Sequence, residues 1–200
     1  MQLYADSLEL KNYRNFTHKY FEFDSNISIL LGPNAIGKTN TIEAIQLLTS
    51  GVSFRNPQAQ NLLHDVELLS SASLSIKNEL RAIEIDLFIE EDKKTFKLNG
   101  KNTNSRGIRG VLPSVLFYPD DLQIIKGQPG LRRQSLDVFG IQLHKNYSKI
   151  KLEFEKTLQQ RNKILKEEYI DKNLLAAWSE SFLYHAALFY LYRIKLFDKM

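Results

Sequence analysis

Residues 27–45 read ISILLGPNAIGKTNTIEAI, an apolar run followed by a glycine-containing loop and a segment with helical spacing. Four residues separate Gly32 from Gly37, and Lys38 and Thr39 follow directly. This is the P-loop pattern, in which glycine lets several backbone N–H groups surround a phosphate. The stretch therefore predicts a buried strand over residues 27–31, a phosphate-binding loop, and a helix from Thr39 to Gly51.

The residue types in this loop predict how it would hold a nucleoside triphosphate. Lys38 would neutralise charge on the β- and γ-phosphates, and the Thr39 hydroxyl would bind Mg²⁺. Thr39 also opens a helix whose N-terminal dipole favours anions. The expected contact residues are Gly32, Pro33, Asn34, Ala35, Ile36, Gly37, Lys38 and Thr39. The alternative is a glycine turn that only joins a strand to a helix.

Composition limits the class of protein. The chain has 200 residues, of which 43% are hydrophobic and 25% charged, as in ordinary globular domains. It has no cysteine, which excludes disulfides and thiolate metal sites and favours a reducing cytoplasm. The N-terminus lacks the pattern of a secretory signal, and no apolar run has the length of a membrane span. We expect a soluble, cytoplasmic protein with no membrane partner.

Charge is distributed unevenly along the chain. The formal net charge is +4, but residues 132–166 contain nine Lys or Arg against three acids, a net of +6. The remainder therefore carries about −2. An anionic partner would meet the C-terminal half.

Apolar patterns predict the remaining elements. Short alternating segments at residues 6–10 and 19–23 indicate strands, and residues 52–66 indicate an irregular connection. Alternation on both sides of the charged EEDKK segment, residues 90–94, predicts β-hairpins. The segment VLPSVLFYPDDL predicts another short strand that Pro119 ends. From Arg132 almost to the end the pattern is helical.

Five segments together resemble the RecF recombination-repair family. GPNAIGKTNTIEAI is similar to the P-loops of SMC-like and ABC-type ATPase heads, and Ala35 and Asn40 make it similar to RecF in particular. The segments LKNYRNF, SFRN, LFYPDDLQIIKGQPGLRRQSLD and LQQRNKILK resemble RecF segments in the same order. The resemblance runs from about residue 7 to the end. It adds Asn40 to the expected nucleotide contacts and makes ATP with Mg²⁺ the expected cofactors.

The resemblance implies an α/β fold: a P-loop ABC/SMC-like ATPase head with an antiparallel β subdomain, followed by a mainly helical lobe. We expect the head to occupy residues 1–130 and the lobe residues 131–200. No signature loop, Walker B acid with catalytic Glu, or switch His is recognisable between Met1 and Met200. We therefore expect an N-terminal portion that turns over ATP poorly by itself.

The resemblance also implies a function and partners. A RecF protein would be an ATP-dependent, weakly DNA-stimulated ATPase that dimerises on ATP and helps load recombinase at replication gaps. Its partners would be double-stranded DNA or a double-strand/single-strand junction, and mediators of the RecO and RecR type, at the nucleoid. The alternative is a nucleotide-gated DNA clamp that does not depend on hydrolysis. A small-molecule kinase is disfavoured because no lid arginines are recognisable.

Two pairs of acids compete as metal-site candidates. Glu90 and Glu91 follow an apolar run but fall at a hairpin tip, which favours a solvated turn. Asp120 and Asp121 follow a predicted strand at a position that resembles the Q-loop of RecF-like heads. One of them would reach Mg²⁺ through water or, alternatively, cap a helix.

Several basic residues are candidates for nucleotide or DNA contacts. Arg14 lies in the first turn and is a nucleotide contact or a solvated turn residue. Arg55, Arg132 and Arg133 are DNA or phosphate candidates by resemblance. A helix over residues 143–166 would place its lysines opposite an apolar face, as a DNA-binding stripe or a solvated face. These lysines are Lys145, Lys149, Lys156 and Lys163. Arg161 falls on the apolar side and is expected to pair with an acid or a carbonyl.

Overall fold

The computed structural model describes residues 2–55, 58–64, 69–91, 93–144 and 146–198. The chain divides into two compact units, Met1–Leu116 and Phe117–Met200. This division falls earlier than the boundary expected at residue 130.

The first unit contains a six-stranded antiparallel sheet with strand order β2-β1-β3-β4-β5-β6. Alternation of small or polar residues with apolar ones produces these strands, because successive side chains point to opposite faces. In β3, for example, Ala72, Leu74 and Ile76 are buried, and the serines between them are half-buried on the other face. The strands are β1 Tyr4–Tyr13, β2 Phe16–Glu22, β3 Leu69–Lys77, β4 Ala82–Glu90, β5 Lys93–Leu98 and β6 Lys101–Thr103.

Helix α1, Lys38–Ser50, packs on the buried face of this sheet. Its residues Ala44, Leu47 and Leu48 are fully buried among the inward side chains of β1, β3 and β4. Full burial of each leucine contributes about 1.5–3 kcal/mol. Gly51 ends the helix in the left-handed conformation, as predicted. The core thereby fixes the position of the loop that precedes α1.

Short elements complete the first unit. A 3₁₀ turn covers Ala59–Leu62, and the short helix α2 covers Ser105–Ile108. The irregular connection predicted after α1 agrees with this, although residues 56, 57, 65 and 66 lie outside the described part of the chain. The hairpins around residues 90–94 are confirmed as β4 and β5.

Two predicted strands are wrong. Residues 27–31 form no strand, and Ile27, Ile29 and Leu31 are each three-quarters or more exposed. The segment before Pro119 is also irregular, with Val115 and Phe117 exposed to a similar extent. In the described part of the chain no strand pairs with either segment. An apolar run indicates that a segment favours burial, but it does not supply the neighbour that buries it.

The second unit is helical, as predicted from the pattern beyond Arg132. A 3₁₀ turn at Pro119–Asp121 leads into helices whose buried apolar cluster contains Tyr147, Phe189 and Leu196. The helices are α3 Leu122–Lys126, α4 Pro129–Leu143, α5 Tyr147–Ile164 and α6 Lys172–Phe197.

A buried carboxylate connects α4, α5 and α6. Asp137 of α4 accepts hydrogen bonds from the Tyr147 hydroxyl at 2.7 Å and from Nε and Nη2 of Arg193, each at 2.9 Å. The Lys151 ammonium lies 3.2 Å from the same carboxylate. Partners of opposite charge on two other helices compensate for burying Asp137, so the cluster fixes how the three helices pack.

Three expectations for this unit need correction. The helix predicted over residues 143–166 begins only at Tyr147, and Leu143 ends α4 instead. Arg161 donates to the Ser179 hydroxyl at 3.2 Å and lies over the Phe182 ring, so among the described residues it meets a hydroxyl and an aromatic ring where an acid or a carbonyl was expected. Helix α6 was expected to be buried, but only Phe189 and Leu196 among its residues are. Among the described helices, none combines the length and apolar character that crossing a membrane requires.

Candidate functional site

The loop Gly32–Thr39 is held open to solvent at the start of α1. Residues 32–36 are exposed, and the backbone turns through the left-handed region at Ala35, with φ 66°, and at Gly37, with φ 109°. Gly37 is the N-cap of α1, and no side chain caps the helix there. The first turn of α1 also contains no acid. The positive end of the helix dipole therefore faces the loop without a neutralising carboxylate.

Close packing beneath the loop explains why Gly37 is a glycine. A Cβ atom at this position would overlap the Phe16 ring and lie 2.9 Å from Oδ1 of Asn15. The turn between β1 and β2 thus supports the loop directly from below. The loop shape is fixed by the packed unit and by backbone conformation.

Lys38 folds back over the loop. Its ammonium donates to the carbonyl oxygens of Gly32 at 2.6 Å and Pro33 at 2.8 Å. These contacts hold a positive charge above the turn that the loop makes. Thr39, the second predicted ligand, is exposed on the first turn of α1.

A polar concavity lies beside the loop. Its volume is about 500 Å³, and Arg14, Asn15, Asn40, Arg55, Asn61, Leu63 and His64 line it. Nη1 of Arg55 donates to Oδ1 of Asn40 at 2.8 Å, and Nδ2 of Asn40 donates to Oδ1 of Asn15 at 2.8 Å. The structure therefore brings together three residues singled out from the sequence: Arg14, Asn40 and Arg55.

Arg14 is bound to a residue that sequence reasoning missed. Its Nε and Nη2 donate to the two carboxylate oxygens of Glu43, at 3.1 and 2.9 Å, and Nη1 donates to the Asn61 carbonyl at 2.5 Å. Glu43 is fully buried. Burial, and then the negative charge of Glu43, raise the pKa of the neighbouring Tyr13 phenol above its ordinary value. The signal in the sequence was a charged residue one helical turn before the buried Leu47.

The acidic candidates have local roles. Glu90 and Glu91 are exposed at the tip between β4 and β5, which confirms the solvated turn. The Asp121 carboxylate accepts from the Tyr118 backbone N–H at 2.9 Å, a contact that reaches back three residues within the turn before α3. This differs from the expected N-cap contact, which reaches forward to N–H groups of the helix, and the water-mediated contact to Mg²⁺ remains a prediction. The side chain of Asp120 lies outside the described part of the structure.

The basic candidates of the second unit are mostly on its surface. Nη1 of Arg132 donates to carbonyl oxygens at the end of α3, at 3.2–3.3 Å, and Arg133 is exposed. Lys149, Lys156 and Lys163 are exposed on α5 at intervals of seven residues, which places them on one side of the helix. Lys145 lies outside the described residues. Each of these contacts to DNA remains a prediction.

The fold and the loop define a class: an SMC-like, ABC-type P-loop ATPase head. A solved SMC ATPase, described by its ATP-driven dimerisation and DNA-stimulated activation, matches 68% of this chain and 98% of its own. That match has a TM-score of 0.57 at 20% identity, so it supports the fold alone.

The chain belongs to the RecF/RecN/SMC N-terminal domain family, whose profile matches residues 4–175. A DNA replication and repair protein RecF from Clostridioides difficile is 32% identical over 197 residues, covering 97% of this chain and 53% of the relative. RecF from Acetivibrio thermocellus is 36% identical over 179 residues, covering 86% and 47%. The chain thus spans about half the length of the curated relatives it matches.

Solved RecF structures agree in fold over nearly the whole chain. A structure described as the recombination mediator RecF-ATP of the RecFOR pathway superposes with a TM-score of 0.86 at 30% identity. It covers 99% of this chain and 55% of that one. The expected resemblance to RecF is therefore confirmed, and so is the expected class of fold.

Proposed function

We propose that this chain is the nucleotide-binding part of a RecF protein and binds MgATP through the loop Gly32–Thr39. The observation that carries the proposal is the start of α1, where an exposed loop with left-handed turns at Ala35 and Gly37 meets an uncapped helix N-terminus. Such an end offers backbone N–H groups and a positive dipole to a phosphate. The solved RecF-ATP relative, similar in fold over this region, is consistent with that use.

The roles of the side chains follow from their positions. Lys38 already holds its ammonium over the loop and would move its hydrogen bonds from the Gly32 and Pro33 carbonyls to phosphate oxygens. Backbone N–H groups of the loop would bind the β-phosphate, and Asn40 and Arg14 line the neighbouring concavity. Loss of one charged hydrogen-bond donor costs about 1.5–3 kcal/mol, or about tenfold to hundredfold in affinity.

The residues of the loop fit a magnesium ion that is bound jointly by the protein and by the phosphates of a nucleotide. In the described part of the chain no group of three or more His, Cys, Asp or Glu could bind a metal alone. Mg²⁺ commonly keeps several waters and binds through few protein oxygens plus phosphates. The exposed Thr39 hydroxyl would be its ligand from this chain, with Asp120 or Asp121 as candidates for a contact through water.

The proposal extends to DNA and protein partners. The net charge of +6 over residues 132–166, with exposed lysines on α5, supplies the positive surface that phosphate backbones attract. The function would be ATP-dependent DNA binding in recombinational repair and replication-gap rescue, with recombinase loading through RecO- and RecR-type mediators. ATP would drive dimerisation, at the nucleoid in the cytoplasm.

ATP turnover by the protein its gene encodes, with and without DNA, tests the function. We expect slow turnover that DNA raises and that Lys38→Met abolishes, while the exposed control Lys101→Met leaves it unchanged. Undiminished turnover in Lys38→Met would contradict the ATPase assignment. DNA retention that requires ATP, with no turnover in any form, would support the alternative of a nucleotide-gated clamp.

A further inference from the structure

The carboxylate of Glu43 is fully buried and contacts two guanidinium groups, although one would neutralise its charge. Arg14 binds both of its oxygens, and Nη1 of Arg55 lies 3.4 Å from Oε2. The Ser53 hydroxyl donates to Oε1 at 2.5 Å. One negative charge thus holds two guanidinium groups, which leaves the cluster with a surplus positive charge.

The two guanidinium groups differ in exposure. The Arg14 side chain is 18% exposed, and its three guanidinium nitrogens all donate within the protein, two of them to Glu43 and one to the Asn61 carbonyl. The Arg55 side chain is 38% exposed and lines the polar concavity beside the loop. The surplus charge is therefore carried at the surface by Arg55, and Glu43 lies behind it.

Hydrogen bonds connect this charge to the P-loop backbone. Arg55 donates to Asn40 at 2.8 Å, Asn40 donates to Asn15 at 2.8 Å, and Nδ2 of Asn15 donates to the Ala35 carbonyl at 3.4 Å. Ala35 is the loop residue with φ 66°. A continuous line of contacts runs from the buried carboxylate to the left-handed turn of the loop.

We propose that Glu43 is a positioning residue of the nucleotide site. It does not reach the nucleotide; it fixes the Arg55 guanidinium, and through Asn40 and Asn15 the Ala35 turn, so that a positive charge stands beside the bound phosphates. This rests on the proposed function of the loop. The affinity for a nucleoside triphosphate thus depends on Glu43 through Arg55.

A double-mutant cycle on binding of a fluorescent ATP analogue, MANT-ATP with Mg²⁺, tests this dependence. The variants are Glu43→Gln, Arg55→Gln and their combination, measured below the melting temperature of every form. We expect each single variant to bind several-fold more weakly than the parent. The double variant should be no weaker than Arg55→Gln alone, because Glu43 acts through that residue.

A purely structural role of Glu43 would give a different result. Losses that multiply in the double variant, or unchanged affinity in Glu43→Gln, would overturn the proposal. Asp137→Asn is the matched control: it removes a buried carboxylate charge that also holds two cations, but in the second unit. It should lower the melting temperature and leave MANT-ATP affinity unchanged.

A second variant keeps the test valid if Glu43→Gln does not fold. Asn15→Ala removes the exposed end of the same series of hydrogen bonds. Its loss of MANT-ATP affinity should likewise disappear in the Arg55→Gln background, and a loss that persists there would overturn the proposal.

Lys38→Ala distinguishes a failure of the proposed function from a failure of this inference. Absence of MANT-ATP binding by the parent chain would overturn the proposed function and this inference together. Binding that Lys38→Ala abolishes, with an additive cycle, would overturn this inference alone.

Discussion

Replacing Gly37 by alanine should lower the free energy of unfolding by more than backbone strain alone would. Its φ of 109° is one that residues with a Cβ rarely adopt, at a cost of about 1–3 kcal/mol. The added Cβ would also overlap the Phe16 ring, and overpacking of this kind costs about 1–3 kcal/mol more. The expected loss in the free energy of unfolding is about 2–6 kcal/mol, a large part of the stability of a small domain.

Gly100→Ala provides the matched control. Gly100 has φ 74°, in the turn between β5 and β6, and a Cβ there meets nothing within 4 Å. This variant should therefore lose only the strain cost, about 1–2 kcal/mol. Native-state hydrogen exchange of the core amides of β1 and β3 reports the unfolding free energy of the first unit. Equal losses in the two variants would refute the claim that Gly37 is fixed by the packing of Phe16.

Three further predictions concern the rest of the molecule. Asp137→Ala leaves Arg193 and its neighbours without their buried counter-charge. The free energy of unfolding, measured with denaturant and Trp178 fluorescence, should fall by about 3–5 kcal/mol, and a fall below 1 kcal/mol would contradict this. Burial raises the pKa of the Tyr13 and Tyr147 phenols above the ordinary 10.0, so the stability from keeping them protonated is complete below pH 10 and is lost as pH rises further. Tyrosinate absorbance should then show one fewer phenol that ionises only with unfolding in Tyr147→Phe than in the parent; an unchanged number would be the opposite result. Reversing the charge of the α5 lysines should weaken DNA binding and lower the salt slope by about 0.9 per lost contact, while reversal of three first-unit lysines should not; equal effects of the two sets would make the α5 face a solvated one. The first set is Lys149, Lys156 and Lys163, and the control set is Lys19, Lys93 and Lys101.

The sequence predicted an element correctly where the spacing of apolar residues within the segment determines its secondary structure. Helix α1 was predicted to within a residue, because apolar residues recur at helical spacing between the P-loop and Gly51. The strands β3 and β4 followed from alternation with period two, which places one set of side chains in the core. The P-loop pattern predicted where a strained loop would meet a helix.

The wrong predictions share one physical cause: a local sequence pattern does not show which distant segment will lie next to it in the fold. The run over residues 27–31 has the composition of a buried strand, but strand pairing depends on another segment lying alongside. Arg161 was correctly placed facing apolar neighbours, yet its partner is the Ser179 hydroxyl, eighteen residues away on another helix. Glu43 was missed for the same reason, because its partners come from a turn and a loop that are distant in the sequence.

Calorimetric titration of this chain with MgATP tests the central claim most directly. We predict saturable binding at one site, weakened by about tenfold to hundredfold in Lys38→Ala, since the lost ammonium is a charged donor to phosphate. Lys101→Ala, a change of the same kind on exposed β6, should bind as the parent does. No binding by the parent chain, or equal affinity of the parent and Lys38→Ala, would contradict the assignment of Gly32–Thr39 as the nucleotide site.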